Sequence, residues 1–286
     1  MKISVSSYSF ARYIRAGRMT QLDCVAKAKE MGFDAIEFTD IIPMEGETVV
    51  ETAARIRAEA ERAGIEINAY TVGACLYKGS AEADAAEVER LKGQVDIAVI
   101  LGASVMRHDV CYALAKTGEG RCFDGMLPTI AKNTRAVTEY AQTKGIRTCS
   151  ENHGYIAQDS DRMERLFHAV GHDNYGLLVD MGNFLCVDED PAHAVSRLAP
   201  YALHVHAKDF FFSPEKREGL TIMTRGANYI GGCVIGEGAV PVGKCLAILK
   251  RAGYEGCVSV EYEGEEDCLA GIARGLANLR EFLAAL

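Results

Sequence analysis

The chain has 286 residues, 49% hydrophobic and 25% charged, which is the composition of an ordinary globular protein and not of a disordered or collagen-like one. Its net charge of −9 argues against a protein that holds DNA or RNA through a broad basic surface. No apolar run approaches the ~20 residues of a membrane-spanning helix, and the N-terminus lacks the shape of a cleavable signal. These features predict a cytoplasmic protein with no nucleic-acid or membrane partner.

Short β-like runs alternate with longer helical runs along the whole chain. The predicted strands are Met1–Ser7, Phe33–Phe38, Ile65–Thr71, Ala103–Arg107, Ile146–Glu151, Gly176–Asp180, Leu203–His206 and Cys257–Glu261. The predicted helices are Thr20–Met31, Glu47–Ala63, Ala81–Leu101, Pro128–Lys144, Asp161–Val170, Asp190–Leu198, Val242–Ala252 and Leu269–Leu286. A glycine, which readily adopts the left-handed conformation that ends a helix, follows five of these helices: Gly32, Gly64, Gly102, Gly145 and Gly253.

Eight strands in strict alternation with helices call for parallel strands joined by helical crossovers. Eight such units favour a closed (β/α)8 TIM barrel of the α/β class over an open sheet, and the absence of a linker predicts one domain over residues 1–286. Two connections are long, 109–127 and 209–238, and long loops in compact domains are often functional lids. The ten cysteines are scattered without a CxxC pair, so we expect buried free thiols and no zinc cluster.

Polar side chains close the last four predicted strands, and in such a barrel the chemistry lies at the C-terminal ends of the strands. Glu151, Asp180 and Glu261 end three of these strands, and the fourth carries His204 and His206. Three bare carboxylates on one rim would repel one another, and a divalent cation relieves that repulsion. Oxygen and imidazole ligands suit Mn²⁺, Mg²⁺, Co²⁺ or Zn²⁺. His206 lies nearer the rim and is the better ligand, so His204 is expected one layer lower.

Other polar residues near this rim are candidates for substrate binding. His153 lies two residues past Glu151 and is expected to bind substrate or move a proton. Lys208 is expected to balance charge or hold a substrate oxygen, and Arg107 is one of the few basic residues at the rim. Glu37 closes the second strand. The sequence does not decide between two roles for it, a hydrogen bond within the pocket and a purely structural role.

Four segments carry a resemblance to a known family: SENHG (150–154), GLLVDMGN (176–183), HVHAKD (204–209) and GEGAVP…LKRAGYEGCVSVEYEG (236–264). With them the chain resembles the xylose isomerase-like barrel superfamily, in its sugar phosphate isomerase/epimerase group. The resemblance implies that one divalent ion, Mn²⁺ first among the candidates, is held by Glu151, Asp180, His206 and Glu261. It also implies that the two ligand glutamates form the acid/base pair. The ketose epimerases have a substrate-holding His where this chain has Asn183, which is expected to hydrogen-bond substrate but cannot titrate. This departure disfavours a plain free-ketose epimerase.

The chemistry that suits this site is proton removal next to a carbonyl through an enediolate. We therefore expect a metal-dependent isomerase or epimerase of a ketose or of an oxidised (keto) sugar or glycoside. The alternative is a lyase of the same fold, either an inosose-type dehydratase or a keto-C-glycoside-cleaving subunit that works with a partner. A DNA-repair nuclease of this fold is disfavoured by the charge and by the few histidines, and a non-catalytic barrel by the intact ligand set.

The segment Phe210–Phe212, with Tyr229 further on, is expected either to shield the pocket or to contact another subunit. Adjacent aromatic residues on a loop make an unusual surface for a monomer. The sequence therefore predicts a homo-oligomer, specifically a dimer, and leaves a separate partner subunit open.

Overall fold

The computed structural model describes residues 1–286 and shows eight parallel strands closed into a barrel. In chain order the barrel strands are β1 (Lys2–Ser6), β2 (Ala35–Thr39), β3 (Glu66–Val72), β4 (Val105–His108), β5 (Arg147–Glu151), β6 (Tyr175–Asp180), β7 (Ala202–Ala207) and, after three further strands, β11 (Cys257–Val260). Each strand pairs with the next, and β11 closes the ring against β1. The predicted (β/α)8 barrel is confirmed.

Nine helices accompany the strands: α1 (Ala11–Arg15), α2 (Gln21–Met31), α3 (Val49–Ala63), α4 (Ala81–Leu101), α5 (Phe123–Thr143), α6 (Ser160–Val170), α7 (Pro191–Leu198), α8 (Val242–Arg251) and α9 (Cys268–Ala284). Thr20 and Thr48 cap the N-termini of α2 and α3 through capping boxes, which satisfy otherwise unpaired backbone N–H groups. The five glycines predicted to end helices all have positive φ, between 64° and 86°. None of the helices combines the length and apolar character needed to cross a membrane.

The structure departs from the predicted elements chiefly in three places, the first of which is the short helix α1, which was not predicted. Helix α5 begins at Phe123, five residues before the predicted start at Pro128, and this proline lies in its second turn. The predicted loop 209–238 contains a three-stranded antiparallel sheet of β8 (Asp209–Ser213), β9 (Ile222–Met223) and β10 (Tyr229–Cys233). Strand β10 contains two glycines, and a Cβ at Gly232 would lie 2.5 Å from the Glu263 carbonyl. Glycine is needed there for close packing.

All ten cysteines are free and seven of them are buried, in line with the expectation for a protein without a disulfide framework. The buried thiols behave as small apolar groups. Burial raises the pKa of Cys149, for example, to about 12, so this thiol stays protonated at neutral pH.

The buried carboxylate of Glu87 fixes the loop between β3 and α4, which borders the barrel mouth. Glu87 on α4 accepts the Cys75 N–H at 3.0 Å and pairs with Arg90 at 2.8 Å and Lys78 at 3.2 Å. Arg90 also donates to the Gly73 carbonyl at 2.6 Å. Burial opposes ionisation of Glu87, but Arg90 and the Cys75 N–H outweigh burial and lower the pKa of Glu87 to about 2.

We predict that Glu87→Gln destabilises the protein by about 2 kcal/mol at neutral pH, because the amide loses the charge-assisted contacts. A carboxylate whose pKa is lowered by folding contributes stability above its unfolded pKa of about 4.3, and this contribution is lost as pH falls toward the folded value. Urea unfolding at a series of pH values should therefore show the gap between wild type and variant shrinking below about pH 4. Glu89→Gln, at an exposed site on the same helix, is the matched control, and a gap independent of pH would contradict the argument.

Candidate active site

Four acidic or imidazole side chains meet at the C-terminal end of the barrel. Glu151 ends β5, Asp180 ends β6, His206 lies in β7 and Glu261 directly follows β11. Their ligand atoms all lie within 4.8 Å of one another, and all four residues are buried. The structure thus brings together the four residues that the sequence nominated as metal ligands.

The His206 ring directs one nitrogen at the three carboxylates. Its Nδ1 lies 3.5 Å from Glu261 Oε2, 3.6 Å from Asp180 Oδ2 and 3.9 Å from Glu151 Oε1. Neither this Nδ1 nor Asp180 Oδ2 has a hydrogen-bond partner, although both are buried. Buried polar atoms are normally paired, and a set of three carboxylates and one imidazole suits a divalent ion. The cluster therefore fits a metal ion, although the ligand set does not identify which one.

Glu37 and His204 lie beneath this cluster. Glu37 Oε2 lies 2.5 Å from His204 Nε2, and its Oε1 lies 2.9 Å from His206 Nε2. Burial disfavours the Glu37 carboxylate, but the two imidazoles outweigh it and hold the pKa of Glu37 well below its usual range. The predicted substrate-binding residue Glu37 is thus fully buried below the cavity, where it fixes the ring that points Nδ1 at the carboxylates. His204 occupies the lower layer, where the sequence placed it.

Backbone and amide contacts fix the carboxylates in turn. Asp180 Oδ1 accepts the N–H groups of Gly182 and Asn183, each at 2.8 Å, which leaves Oδ2 turned toward His206. The Asn183 side chain donates to Glu151 Oε1 at 2.8 Å and is buried. This predicted substrate-binding residue therefore orients a ligand carboxylate and does not line the cavity. Asn152, which the sequence analysis passed over, clamps the backbone of Asp180 at 2.8 and 3.0 Å.

Two buried cations flank the cluster. Lys208 Nζ contacts Glu261 and lies 3.4 Å from both Asp180 Oδ2 and Glu263 Oε1. Burial disfavours its charge, but the carboxylates outweigh burial and raise the pKa of Lys208 well above its usual value. On the other side, Arg107 contacts Glu151 and lies 3.4 Å from Asp109 Oδ1. Asp109 and Glu151 likewise outweigh burial and raise the pKa of Arg107.

The two glutamates of the cluster experience different electrostatic surroundings. Burial raises the pKa of Glu151 and prevails over the attraction of Arg107 and His206. At Glu261 the charges of Lys208 and His206 prevail over burial and lower its pKa well below the usual range. Two chemically identical groups at one site are thus made inequivalent by their neighbours.

A cavity of about 400 Å³ opens above the cluster, and both ligand glutamates lie on its floor. His153 forms part of the wall, with Nδ1 3.1 Å from Asp109 Oδ1. Tyr112 donates to the other Asp109 oxygen at 2.5 Å. Asp109 and Glu151 outweigh the burial of His153 and raise the pKa of this imidazole.

Sequence reasoning missed Asp109 and Tyr112. Asp109 directly follows β4, so the strand-end rule that found Glu151 and Asp180 would have found it as well. Tyr112 carries no comparable signal, because its role depends on how the loop after β4 folds back. Lys208, Arg107 and His153, in contrast, all lie on the cavity lining.

Residues 25–284 match the family model described as Xylose isomerase-like TIM barrel. The chain therefore belongs to the xylose isomerase-like TIM barrel family, as the strand-end motifs indicated.

The chain is also similar to individual proteins, and the solved structures among them share its fold. The chain is 26% identical over 258 residues to the rhizopine catabolism protein MocC of Rhizobium meliloti. The matched region covers 84% of this chain and 74% of MocC. The 3-keto-D-glucoside 4-epimerase YcjR from E. coli, in its apo form, is 16% identical with a TM-score of 0.71, covering 98% of this chain and 99% of that one. A xylose isomerase-like TIM barrel protein from Mycobacterium smegmatis in complex with magnesium is 19% identical with a TM-score of 0.71, covering 99% and 97%.

We predict that Glu37→Gln weakens binding of Mn²⁺ by about 10- to 100-fold, because the carboxylate that orients the His206 ring is lost. Isothermal titration calorimetry of the metal-free protein measures this directly, without an activity assay. Glu87→Gln is the matched control, since it also removes a buried carboxylate but lies outside the cluster. Equal affinities in wild type and Glu37→Gln would show that His206 does not depend on Glu37 for its orientation.

Proposed function

We propose that this protein is a divalent-metal-dependent sugar isomerase or epimerase. Its substrate is a ketose or an oxidised (keto) sugar or glycoside, and its reaction removes a proton next to the carbonyl. The observation that carries the proposal is the convergence of Glu151, Asp180, His206 and Glu261 into one buried cluster, whose two glutamates line an open cavity. Family membership supports sugar chemistry, and the named epimerase shows that this fold performs it in another protein. The lyase alternative is not favoured by any contact in the site.

Glu151, Asp180, His206 and Glu261 are the residues that would hold the ion, for which we propose Mn²⁺. A divalent ion at such a site acts as a Lewis acid toward a substrate carbonyl and lowers the cost of removing the adjacent proton. The magnesium complex of a structural relative supports the choice of a hard divalent ion.

Glu151 and Glu261 are the proposed acid/base pair. They come from strands separated by β6 and β7 in the barrel, so they approach a bound substrate from different directions. One carboxylate takes the proton from the carbon next to the carbonyl, and the other group returns a proton. Return to the opposite face gives epimerisation, and return to the neighbouring carbon gives isomerisation.

The flanking side chains hold the substrate in this scheme. Lys208 and His153 project into the cavity and are proposed to hydrogen-bond the oxygens on which negative charge develops, as preorganised donors do. Arg107 and Asn183 contact Glu151 and are proposed to set its direction toward the substrate. Glu37 acts only through the histidines.

We also propose that the chain forms a homodimer through the sheet of β8, β9 and β10. Phe211 and Phe212 are 50% and 43% exposed on β8, which is an edge strand of that sheet. Exposed apolar residues on an unpaired edge mark a surface that associates.

We predict that both Glu151→Gln and Glu261→Gln reduce exchange of the α-proton with solvent by about 10³-fold, since each removes a group that transfers the proton. The assay follows deuterium incorporation from D₂O by mass spectrometry across ketoses and 3-keto-glucosides. Glu139→Gln, exposed on α5, is the control and should exchange like wild type.

Treatment with a chelator should abolish the exchange, and Mn²⁺ should restore it in the wild type but not in the two glutamine variants. Exchange that survives both substitutions would exclude these carboxylates as the bases. Exchange that survives chelation would exclude the metal from the reaction.

We predict a dimer of the wild-type chain in size-exclusion chromatography with light scattering, and a monomer for the double variant Phe211→Ser, Phe212→Ser. Loss of two apolar side chains from the contact removes most of its hydrophobic stabilisation. Val99→Ser, an exposed apolar site on α4, is the control. A monomeric wild type would exclude the proposed interface.

A further inference from the structure

Asp109 is a buried carboxylate that lies on the cavity wall but outside the ligand cluster. It directly follows β4, and its backbone N–H donates to the Val72 carbonyl at 3.2 Å. Its two oxygens contact three side chains, because Oδ1 faces His153 and Arg107 while Oδ2 accepts the Tyr112 hydroxyl. An ionised group is costly to bury, yet the proposed proton transfer does not use this carboxylate.

Asp109 is the single hydrogen-bond partner of the His153 ring within the protein. The bond joins His153 Nδ1 to Asp109 Oδ1 at 3.1 Å, and the other ring nitrogen, Nε2, has no protein partner. An ionised carboxylate accepts hydrogen bonds and donates none, so this bond requires a proton on Nδ1. The partner of one ring nitrogen decides which nitrogen carries the proton. Nε2 is therefore the nitrogen left for a molecule in the cavity that both residues line.

Asp109 is ionised in the folded protein. Burial opposes its charge, but Arg107 and His153 outweigh burial and hold the pKa of Asp109 well below its usual range. The carboxylate is therefore a permanent acceptor for the imidazole at neutral pH.

Tyr112 holds this pair in place from the side. Its hydroxyl donates to Asp109 Oδ2 at 2.5 Å and accepts the Ala74 N–H at 3.3 Å. Its ring lies edge-on to the His153 ring, with 6.2 Å between the two centroids. Gly154 gives Tyr112 room, since a Cβ there would lie 3.0 Å from Tyr112 Cδ1. The hydrogen bond between Asp109 and His153 is thus formed before any ligand binds.

Arg107 does not account for the position of Asp109. Its guanidinium lies 3.4 Å from Asp109 Oδ1, but it also contacts Glu151 and donates to the Val72 carbonyl at 3.3 Å. The arginine therefore has a carboxylate partner without Asp109. The His153 ring has no second partner, so the imidazole is the group that depends on this carboxylate.

We propose that Asp109 is a positioning residue of the site. It accepts the hydrogen bond from His153 Nδ1 and so presents Nε2 to the substrate oxygen on which negative charge develops, while Tyr112 holds Asp109. This inference rests on the proposed function, in which His153 hydrogen-bonds that oxygen. Asp109 does not touch the substrate and acts only through His153. A contact that strengthens as charge develops lowers the barrier more than KM, so loss of Asp109 should reduce kcat and leave KM nearly unchanged.

A double-mutant cycle in the proton-exchange assay tests whether Asp109 acts through His153. The probe is the ketose or 3-keto-glucoside that the wild type exchanges fastest. We expect His153→Gln and Asp109→Ala each to lower kcat about 10²-fold, with KM within about twofold of wild type. The double variant should lose no more than either single variant. Asp109→Asn keeps an oxygen that can accept the Nδ1 proton, so it should retain about a tenth of the wild-type kcat.

Asp96→Ala is the matched control and should exchange like wild type. Asp96 also accepts a tyrosine hydroxyl, that of Tyr140 at 2.9 Å, but it lies outside the cavity. A further loss of kcat when Asp109→Ala is added to His153→Gln overturns the proposal, because Asp109 would then act through another group.

Nitrogen-15 NMR of histidine-labelled protein with Mg²⁺ added reports the same hydrogen bond without chemistry. The His153 signals are those that are missing from the spectrum of His153→Gln. At about pH 8, where an unperturbed imidazole is neutral, we expect a protonated Nδ1 in the wild type and in Asp109→Asn. In Asp109→Ala we expect Nδ1 to be largely unprotonated.

These spectra separate failure of the inference from failure of the proposed function. If no sugar exchanges but the spectra are as expected, the proposed function is wrong and the positioning of His153 by Asp109 is retained. An unprotonated Nδ1 in the wild type, or a fully protonated one in Asp109→Ala, overturns the inference. The wild-type spectrum provides this test even if Asp109→Ala does not fold.

Discussion

The mutual repulsion of carboxylates buried at one end of the barrel is the constraint on which the rest of the site depends. Glu37, Glu151, Asp180 and Glu261 are all removed from water and lie around two imidazoles. An ionised carboxylate is costly to bury without a partner. Each therefore has one: Glu37 has the histidines, Glu151 has Arg107, Asp180 has two backbone N–H groups, and Glu261 has Lys208. Even so, Asp180 Oδ2 and His206 Nδ1 remain without hydrogen bonds, and these are the atoms that a divalent ion would satisfy.

The parts of the site that could be predicted from the sequence are those that depend on strand periodicity. Glu151, Asp180 and Glu261 each follow a short apolar run, and parallel strands present their ends on one rim, so their convergence follows from the pattern alone. The same alternation placed His206 above His204. The barrel order follows from the handedness and shortness of βαβ connections.

The parts that could not be predicted depend on tertiary contacts with no local signature. Glu37 and Asn183 were predicted to bind substrate. Whether a polar side chain contacts substrate or another side chain of the site depends on how the neighbouring strands are positioned, which the local sequence does not show. Glu37 contacts His206 of β7 beneath the cavity, and Asn183 donates a hydrogen bond to Glu151 at 2.8 Å. The sheet of β8, β9 and β10 was missed because residues 209–238 were assigned to a loop, whereas Gly231 and Gly232 allow close approach of the backbone within a sheet. The position of Ile42 depends on Gln21, which is 21 residues away in sequence.

The residues that line this cavity come from two parts of the chain that differ in how deeply they are buried. The ligand cluster comes from β5, β6, β7 and the end of β11, and its side chains are locked by buried contacts. Other lining residues, among them Tyr8, Ile14 and Ile42, lie after β1 and β2 and are partly exposed. Substitution of a buried ligand leaves a buried charge without its partner, whereas substitution of an exposed lining residue such as Ile42 costs little folding stability. A barrel of this type can therefore keep one buried ligand cluster while the residues at its mouth vary, so the loops after β1 and β2 are where substrate choice should be sought.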